Sequence, residues 1–475
     1  MRRPPTPAHL AMVGAVLLTS ACAALRPPPK ASAELRESAP VVASAEATGG
    51  WPEAQWWKSY DDATLNALVE VAVGTGPSIA GADARIRAAE DDVRVAGAAL
   101  GVSVNATAGI TRQRLSDNGM IPPEFLGFHW YDQSDLGAAV RYQFDWWGKQ
   151  HAAMEGAIDR ARAVAAERQI ATLGLASAVS QAYFNWQADS ARVALQEQAV
   201  TLRERLLAIA AARQDAGLDS NDATLDAKRQ LAAQREQLAM ARGAQQLEVV
   251  NLAGLLGVDA SALPPLARRD LPQVNSSLPP DAGTNLLARR PDIAASRWRV
   301  EAALRDTDAA RASFYPDISL RALAGLSSVD IGKLLESGSR APQFGIAFDL
   351  PLFDAGLRRA RHDAAQARLD VAIAAYDDAV VNAAREAGTA ATRLAQAGQQ
   401  RAEREQQLAA ARSMTSAAAA RLQGELSHAG PGLAAQLAEL DEQQQLVSVN
   451  LAAVLADVQL KQALAGNPVQ TEDKP

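Results

Sequence analysis

Residues 136–146 read LGAAVRYQFDW. Leu136, Ala138, Val140, Tyr142, Phe144 and Trp146 alternate with Gly137, Ala139, Arg141, Gln143 and Asp145. A β-strand sends successive side chains to opposite faces, so this run has one apolar face and one that holds charge. Three more runs share the pattern: SVNATAGIT (103–111), ISLRALAGL (318–326) and FGIAFDLPL (344–352). Each has a nearly pure apolar face, and the opposite faces hold Asn, Thr, Arg, Gln, Asp and Gly, with Leu323 as an apolar exception. Each is close to the roughly 9–11 residues that a tilted strand needs to cross a bilayer. A soluble sandwich and a membrane barrel both permit such alternation, so the choice between them rests on the rest of the chain.

The four runs come in two pairs, and the pairs belong to an internal repeat. PSIAGADARIRAAEDDVRVAGAALGVSVNA (77–106) aligns with PDIAASRWRVEAALRDTDAARASFYPDISL (291–320), and FDWWGK (144–149) with LFDAGL (352–357). The repeating unit reads helix, strand, loop, strand, long helix, turn, helix. The expected division is 51–280 for the first repeat, with strands near 102–112 and 135–146, and 281–466 for the second, with strands near 317–327 and 343–352. Residues 467–475 form a tail.

No proline occurs between Pro123 and Pro264 or between Pro351 and Pro431. Ile373, Tyr376, Val380, Ala383, Ala387, Ala390 and Leu394 step by three and four, the seam of a coiled coil. Two long helices are expected, near 150–215 and 358–423, each about 100 Å long at ~1.5 Å per residue. On periodicity alone a soluble coiled-coil scaffold is an alternative. A four-stranded sheet, however, has two open edges, which hydrocarbon does not tolerate. Such strands either stay in water or join strands of other copies. Three copies give a closed twelve-stranded barrel; two leave little lumen.

Bulk composition narrows the function. Of 475 residues, 48% are hydrophobic and 21% charged, an ordinary globular balance. The net charge of −7 gives no electrostatic footprint for nucleic acid. Five histidines, one cysteine and no paired ligand motif argue against a metal centre, and no catalytic or cofactor constellation stands out. Neither an enzyme nor a bound cofactor is expected.

The N-terminus begins with Arg2 and Arg3, followed by an apolar stretch from Leu10 to Leu18. This is the layout of a secretory signal peptide covering residues 1–21. Thr19-Ser20-Ala21-Cys22 resembles a bacterial lipobox, which makes Cys22 the expected site of lipidation, by diacylglycerol and palmitate. An ordinary signal peptide with an incidental Cys is the alternative. Residues 22–50 read as an extended tether.

Several longer stretches together carry a specific resemblance: WWKSYDDATLNALVEVA (56–72), QAYFNW (181–186), LLARRPDIAASRWRVEAA (286–303), FYPDISL (314–320) and LPLFDAG (350–356). On these the chain resembles the TolC-like outer membrane efflux protein family, particularly the lipoprotein branch serving multidrug pumps of the resistance-nodulation-division (RND) type. The resemblance implies a mainly α protein with a transmembrane β-barrel: a homotrimer whose protomers each give four strands to one twelve-stranded barrel and build a hollow helical cylinder in the periplasm. It implies a non-catalytic exit duct for small molecules, anchored in outer-membrane lipid, docked to a periplasmic adaptor and energised by an inner-membrane transporter. An exit duct for exported proteins or peptides on the same fold is the runner-up.

In that setting the apolar strand faces meet lipid. Arg141, Gln143 and Asp145, with Arg321 and Asp349 on the corresponding faces, line the wet channel or its mouth. Trp146 and Trp147 suit an interfacial aromatic girdle or a packing role at the strand-to-helix junction. The long helices are expected to reverse at AGLDSNDATLDAK (216–228) and GELSHAGPGLAAQLAELD (424–441), forming the periplasmic tip. LAELDEQQ (437–444) matches a family stretch beside the second reversal. It makes Leu437 a candidate constricting ring and Asp441 a candidate selectivity ring, or a solvated helix-face carboxylate; Asp226 adds acidic charge from the first reversal. Gln444 stands where the family carries Arg, which puts a closing salt bridge in doubt.

Overall fold

A computed structural model describes residues 27–39, 48–118, 120 and 122–465. The signal peptide, Cys22, part of the tether and the 467–475 tail lie outside the described residues. The chain divides into two units. One holds the segments up to Leu35, 86–164 and 296–376; the other holds 36–85, 165–295 and the segment from 377 onward.

The elements run in this order: a short 3-10 turn at Trp56–Tyr60, α1 (Ala63–Thr75), α2 (Pro77–Ala98), β1 (Ser103–Arg114), β2 (Trp130–Phe144), α3 (Lys149–Asp215), α4 (Asn221–Leu256), α5 (Ala282–Arg289), α6 (Pro291–Ala312), β3 (Asp317–Ser328), β4 (Gln343–Asp349), α7 (Leu357–Gln423) and α8 (Ala429–Leu464). Both α3 and α7 are unbroken over 67 residues. β2 starts several residues before the alternating run, at Trp130, because its hydrogen-bonded ladder with β1 continues through polar residues to the pair Arg114–Trp130.

In the first unit the four strands form one antiparallel sheet in the order β1-β2-β3-β4. The register aligns the alternation across the sheet. Val104 faces Val140, which faces Ala322, which faces Phe344. Ala108, Leu136 and Leu326 form another such row, and Phe144, Ile318 and Phe348 a third. A one-residue slip in any strand would send its whole apolar set to the other face. The result is one apolar face shared by all four strands, and it is open: Ile110 is 66% exposed, Phe344 85% and Ile346 74%. β1 and β4 are edges, each paired on one side only.

The second unit has an ordinary core. Trp56 and Trp57 pack with Leu65, Leu68 and Val69 of α1, Val179, Tyr183 and Phe184 of α3, and Val454 and Val458 of α8. The two aromatic sequence stretches therefore meet: the Tyr60 and Phe184 rings lie 5.0 Å apart, edge to face. On α7 every seam residue from Tyr376 to Leu394 is buried, while Ile373 is only partly so. Among the described residues no helix is long and apolar enough to cross a membrane, a statement that leaves the strands untouched.

Candidate functional site: a polar strand face and two helical turns

The opposite face of the sheet carries the polar set. Its rows run from Asp135–Ser327, through Gly137–Gly325 and Ala139–Leu323, to Ser103–Arg141–Arg321, then Gln143–Ser319, and end at Asp317–Asp349. Arg141, Arg321 and Asp349 are exposed on this face and Gln143 is half-buried. Gln143 donates to Asp317 at 3.1 Å, and Lys149 pairs with the same carboxylate at 3.4 Å.

Asp145 departs from the expectation that it lines a channel. It lies beyond the last paired residue of β2, with only 8% of its side chain exposed. Its carboxylate accepts from the backbone N–H of Gln150 at 3.0 Å and of His151 at 2.8 Å, and contacts His151 Nδ1 at 2.7 Å. It therefore satisfies orphan donors at the start of α3, where negative charge is also favoured by the positive end of the helix dipole. Asp354 does the same before α7, accepting from Gly356 N–H and Arg358 N–H at 3.1 Å each. The spacing Asp-x-x-Gly-Lys and Asp-x-Gly-x-Arg at the two junctions was the available signal. Trp147 takes the packing role: it stacks on Tyr315 with ring centroids 4.5 Å apart and donates from Nε1 to the Pro316 carbonyl at 2.9 Å. Trp146 stays 70% exposed.

In the second unit the helices reverse in turns shorter than the sequence suggested. Only residues 216–220 and 424–428 leave the helical path, and α8 already begins at Ala429. The first turn closes with Leu218 N–H on the Arg213 carbonyl at 2.8 Å, and Gly217 takes the left-handed conformation at φ 72°. The second repeats it with Leu426 N–H on Arg421 O at 2.9 Å, but Glu425 occupies the left-handed position at φ 57°. Pro431 sits in the first turn of α8, where its missing N–H has no helical partner to lose. His428 caps that helix, its Nδ1 accepting from Gly430 N–H at 3.1 Å.

The acidic candidates differ in environment. Asp219 accepts from Arg213 Nε at 2.7 Å, and those hydrogen bonds hold its carboxyl below the usual range. Asp226 accepts from Arg229 at 2.8 Å and Gln230 at 2.6 Å, which lowers it likewise and locally offsets its charge. Asp441 is exposed on α8 and makes no ion pair among the described residues, although its neighbours Glu439 and Glu442 pair with Arg412 and Arg404. Leu437 is partly buried against a cluster of Ala199, Leu202, Leu433 and Leu440 that joins α3 to α8. Gln444 accepts from Gln196 at 2.8 Å, and Gln196 accepts in turn from Gln234. Three amides thus link α8, α3 and α4, a connection that the Arg-to-Gln departure did not reveal in the sequence.

Long paired helices, a one-sided strand quartet and a twofold repeat define a channel-type outer-membrane fold. The chain belongs to the outer membrane efflux protein family, which it matches over residues 68–258 and 283–466. It is 30% identical over 464 residues to the multidrug resistance outer membrane protein MdtP of Escherichia coli K12, covering 96% of this chain and 95% of the relative. It is also 30% identical to MdtQ of E. coli O157:H7, over 73% of each chain. Among solved structures it is similar to the outer membrane protein VceC of Vibrio cholerae, at 30% identity and TM-score 0.76 over 88% of this chain and all of that one. The outer-membrane channel OprN shares the fold at 24% identity, with TM-score 0.82 over 93% of this chain and 99% of that one.

Proposed function

We propose that this chain is the outer-membrane exit duct of a multidrug efflux system, a passive conduit that carries small molecules out of the cell. The family membership and the full-length similarity to multidrug resistance outer membrane proteins support this reading. The structural observation that carries it is the open apolar face spanning all four strands, bounded by two unpaired edges. Water would leave that face costly, and lipid would leave the edges unsatisfied. Three copies resolve both demands by pairing β1 of one protomer with β4 of the next into a twelve-stranded barrel whose polar face lines the lumen.

The helical pairs of the second unit then form the periplasmic part. Their turns meet a periplasmic adaptor, and an inner-membrane transporter of the RND type drives export. Acylation of Cys22 adds a lipid anchor in the outer membrane. Leu437 and Asp441 form the narrowest rings, and Asp226 contributes less because Arg229 offsets it. The duct has no catalysis of its own.

The test is complementation. In a host lacking its own efflux channel, co-expression with the cognate adaptor and pump should restore resistance to several unrelated drugs, and the purified protein should conduct ions in planar bilayers. Recovery in the soluble fraction with no conductance contradicts the reading.

A further inference from the structure

The polar face of the sheet holds a local conflict of charge. Arg141 of β2 is the register partner of Arg321 of β3, and the flanking partners in that row are Ser103 and Gly345. Residues directly opposite on neighbouring strands place their Cβ atoms about 4.5–5.5 Å apart, where like charges destabilise the sheet. Both guanidinium groups are exposed, and neither forms an ion pair among the described residues.

The carboxylates on the same face are remote or engaged. Asp317 and Asp349 lie four residues along their strands, about 13 Å at the strand rise. Asp317 is held by Gln143 and Lys149. Asp135 lies six residues away on β2, about 20 Å. It accepts from Ser327 at 2.7 Å. Both distances exceed the Debye length of about 8 Å at physiological salt, so these carboxylates do little to neutralise the pair. β1 contributes only Ser103, Asn105, Thr107, Gly109, Thr111 and Gln113 to this face. Beyond the arginines the next rows toward Asp135, Ala139–Leu323 and Gly137–Gly325, carry no charge, and the Leu323 side chain lies over both glycines.

We propose that Arg141 and Arg321 form an anion-binding station on the lumenal wall, one that receives carboxylate, phosphate or sulfonate groups of molecules in transit. Two adjacent planar forks suit an oxyanion, which accepts from both and relieves their mutual repulsion. This rests on the exit-duct reading, in which three copies bring six guanidinium groups to one level of the pore. Rings of Arg favour anions in pores. The duct then has a preference of its own, for substrates bearing negative charge.

The test is block of single-channel current by tripolyphosphate, added to either side in turn. The wild type should be blocked from at least one side. The Arg141→Gln/Arg321→Gln double variant should lose the block while still conducting, and Asp135→Asn, on the same face but remote from the pair, should keep it. Block that persists in the double variant, block that vanishes in Asp135→Asn, or an unblocked wild type overturns the station and leaves the duct intact. A wild type that never conducts overturns the duct, and the station with it.

Discussion

Tyr60 donates its phenolic hydrogen to Asp457 Oδ2 at 2.6 Å, joining residues 397 positions apart in the chain. Asp457 is completely buried, and Lys461 approaches the same oxygen at 2.9 Å while its ammonium lies 4.0 Å from the Tyr60 ring centre. Burial first, and then the facing carboxylate, push the Tyr60 phenol far above its usual range. The Tyr60 hydroxyl is therefore a permanent donor at physiological pH. The triad ties the N-terminal aromatic turn to the last turns of α8.

Removing the hydroxyl tests how much this tie holds. Tyr60→Phe leaves the ring packing on Phe184 intact and costs a charge-assisted hydrogen bond, about 1.5–3 kcal/mol. Asp457→Ala should cost more, since it strands Lys461 beside a void. The check is the thermal midpoint of the detergent-solubilised protein, which should fall in the order wild type, Tyr60→Phe, Asp457→Ala.

Asp145→Ala separates a cap from a channel-lining charge. The loss of a helix cap costs about 0.5–2 kcal/mol and frays the first turn of α3. Hydrogen exchange at Gln150 and His151 should accelerate, while the ion preference of the pore stays as it was. A changed preference with unchanged exchange would return Asp145 to the lumen.

The first helix reversal should respond to acid, but only strong acid. Asp219 has its carboxyl lowered by Arg213, so the pair's contribution is complete above the ordinary carboxylate range and disappears as pH falls through the lowered value. Proteolytic nicking around residues 216–220 should be constant from neutral pH down to about 5 and rise only below about 4, near the unperturbed Asp value. Asp219→Asn should be nicked at every pH. Loosening of the wild type near neutrality would contradict this.

Asp441→Asn addresses the candidate ring on α8. Three symmetric carboxylates close together would favour cations, so the variant should weaken the cation preference of the narrow end. Unchanged conductance and preference would place Asp441 on a solvated helix face. Likewise Cys22→Ser should abolish acyl labelling in cells, and an unlabelled wild type would refute the lipobox.

Much of this architecture was legible in the sequence because it is periodic. Alternation by two set the four strands and their faces, and proline-free steps of three and four set both long helices, whose ends fall within a residue of the expected 150–215 and 358–423. What escaped was local and aperiodic. The reversals looked long because glycines and helix-capping polar residues are spread through both stretches, yet Pro431 is harmless in a first helical turn and His428 already caps α8. Asp145 fitted the polar parity of its strand, and only the backbone shows that the strand has already ended. The link from Gln444 through Gln196 to Gln234 joins three helices distant in sequence, so no window of residues contains it.

The shared barrel is tested most directly at its seams. Single Cys substitutions along β1, such as Asn105→Cys, should be combined with single substitutions along β4, such as Ala347→Cys, and oxidised in intact membranes. At matched positions a covalent ladder should appear that ends at three chains, with none larger. A protein that stays monomeric at every pairing, or a ladder that continues past three, contradicts a barrel closed by three copies.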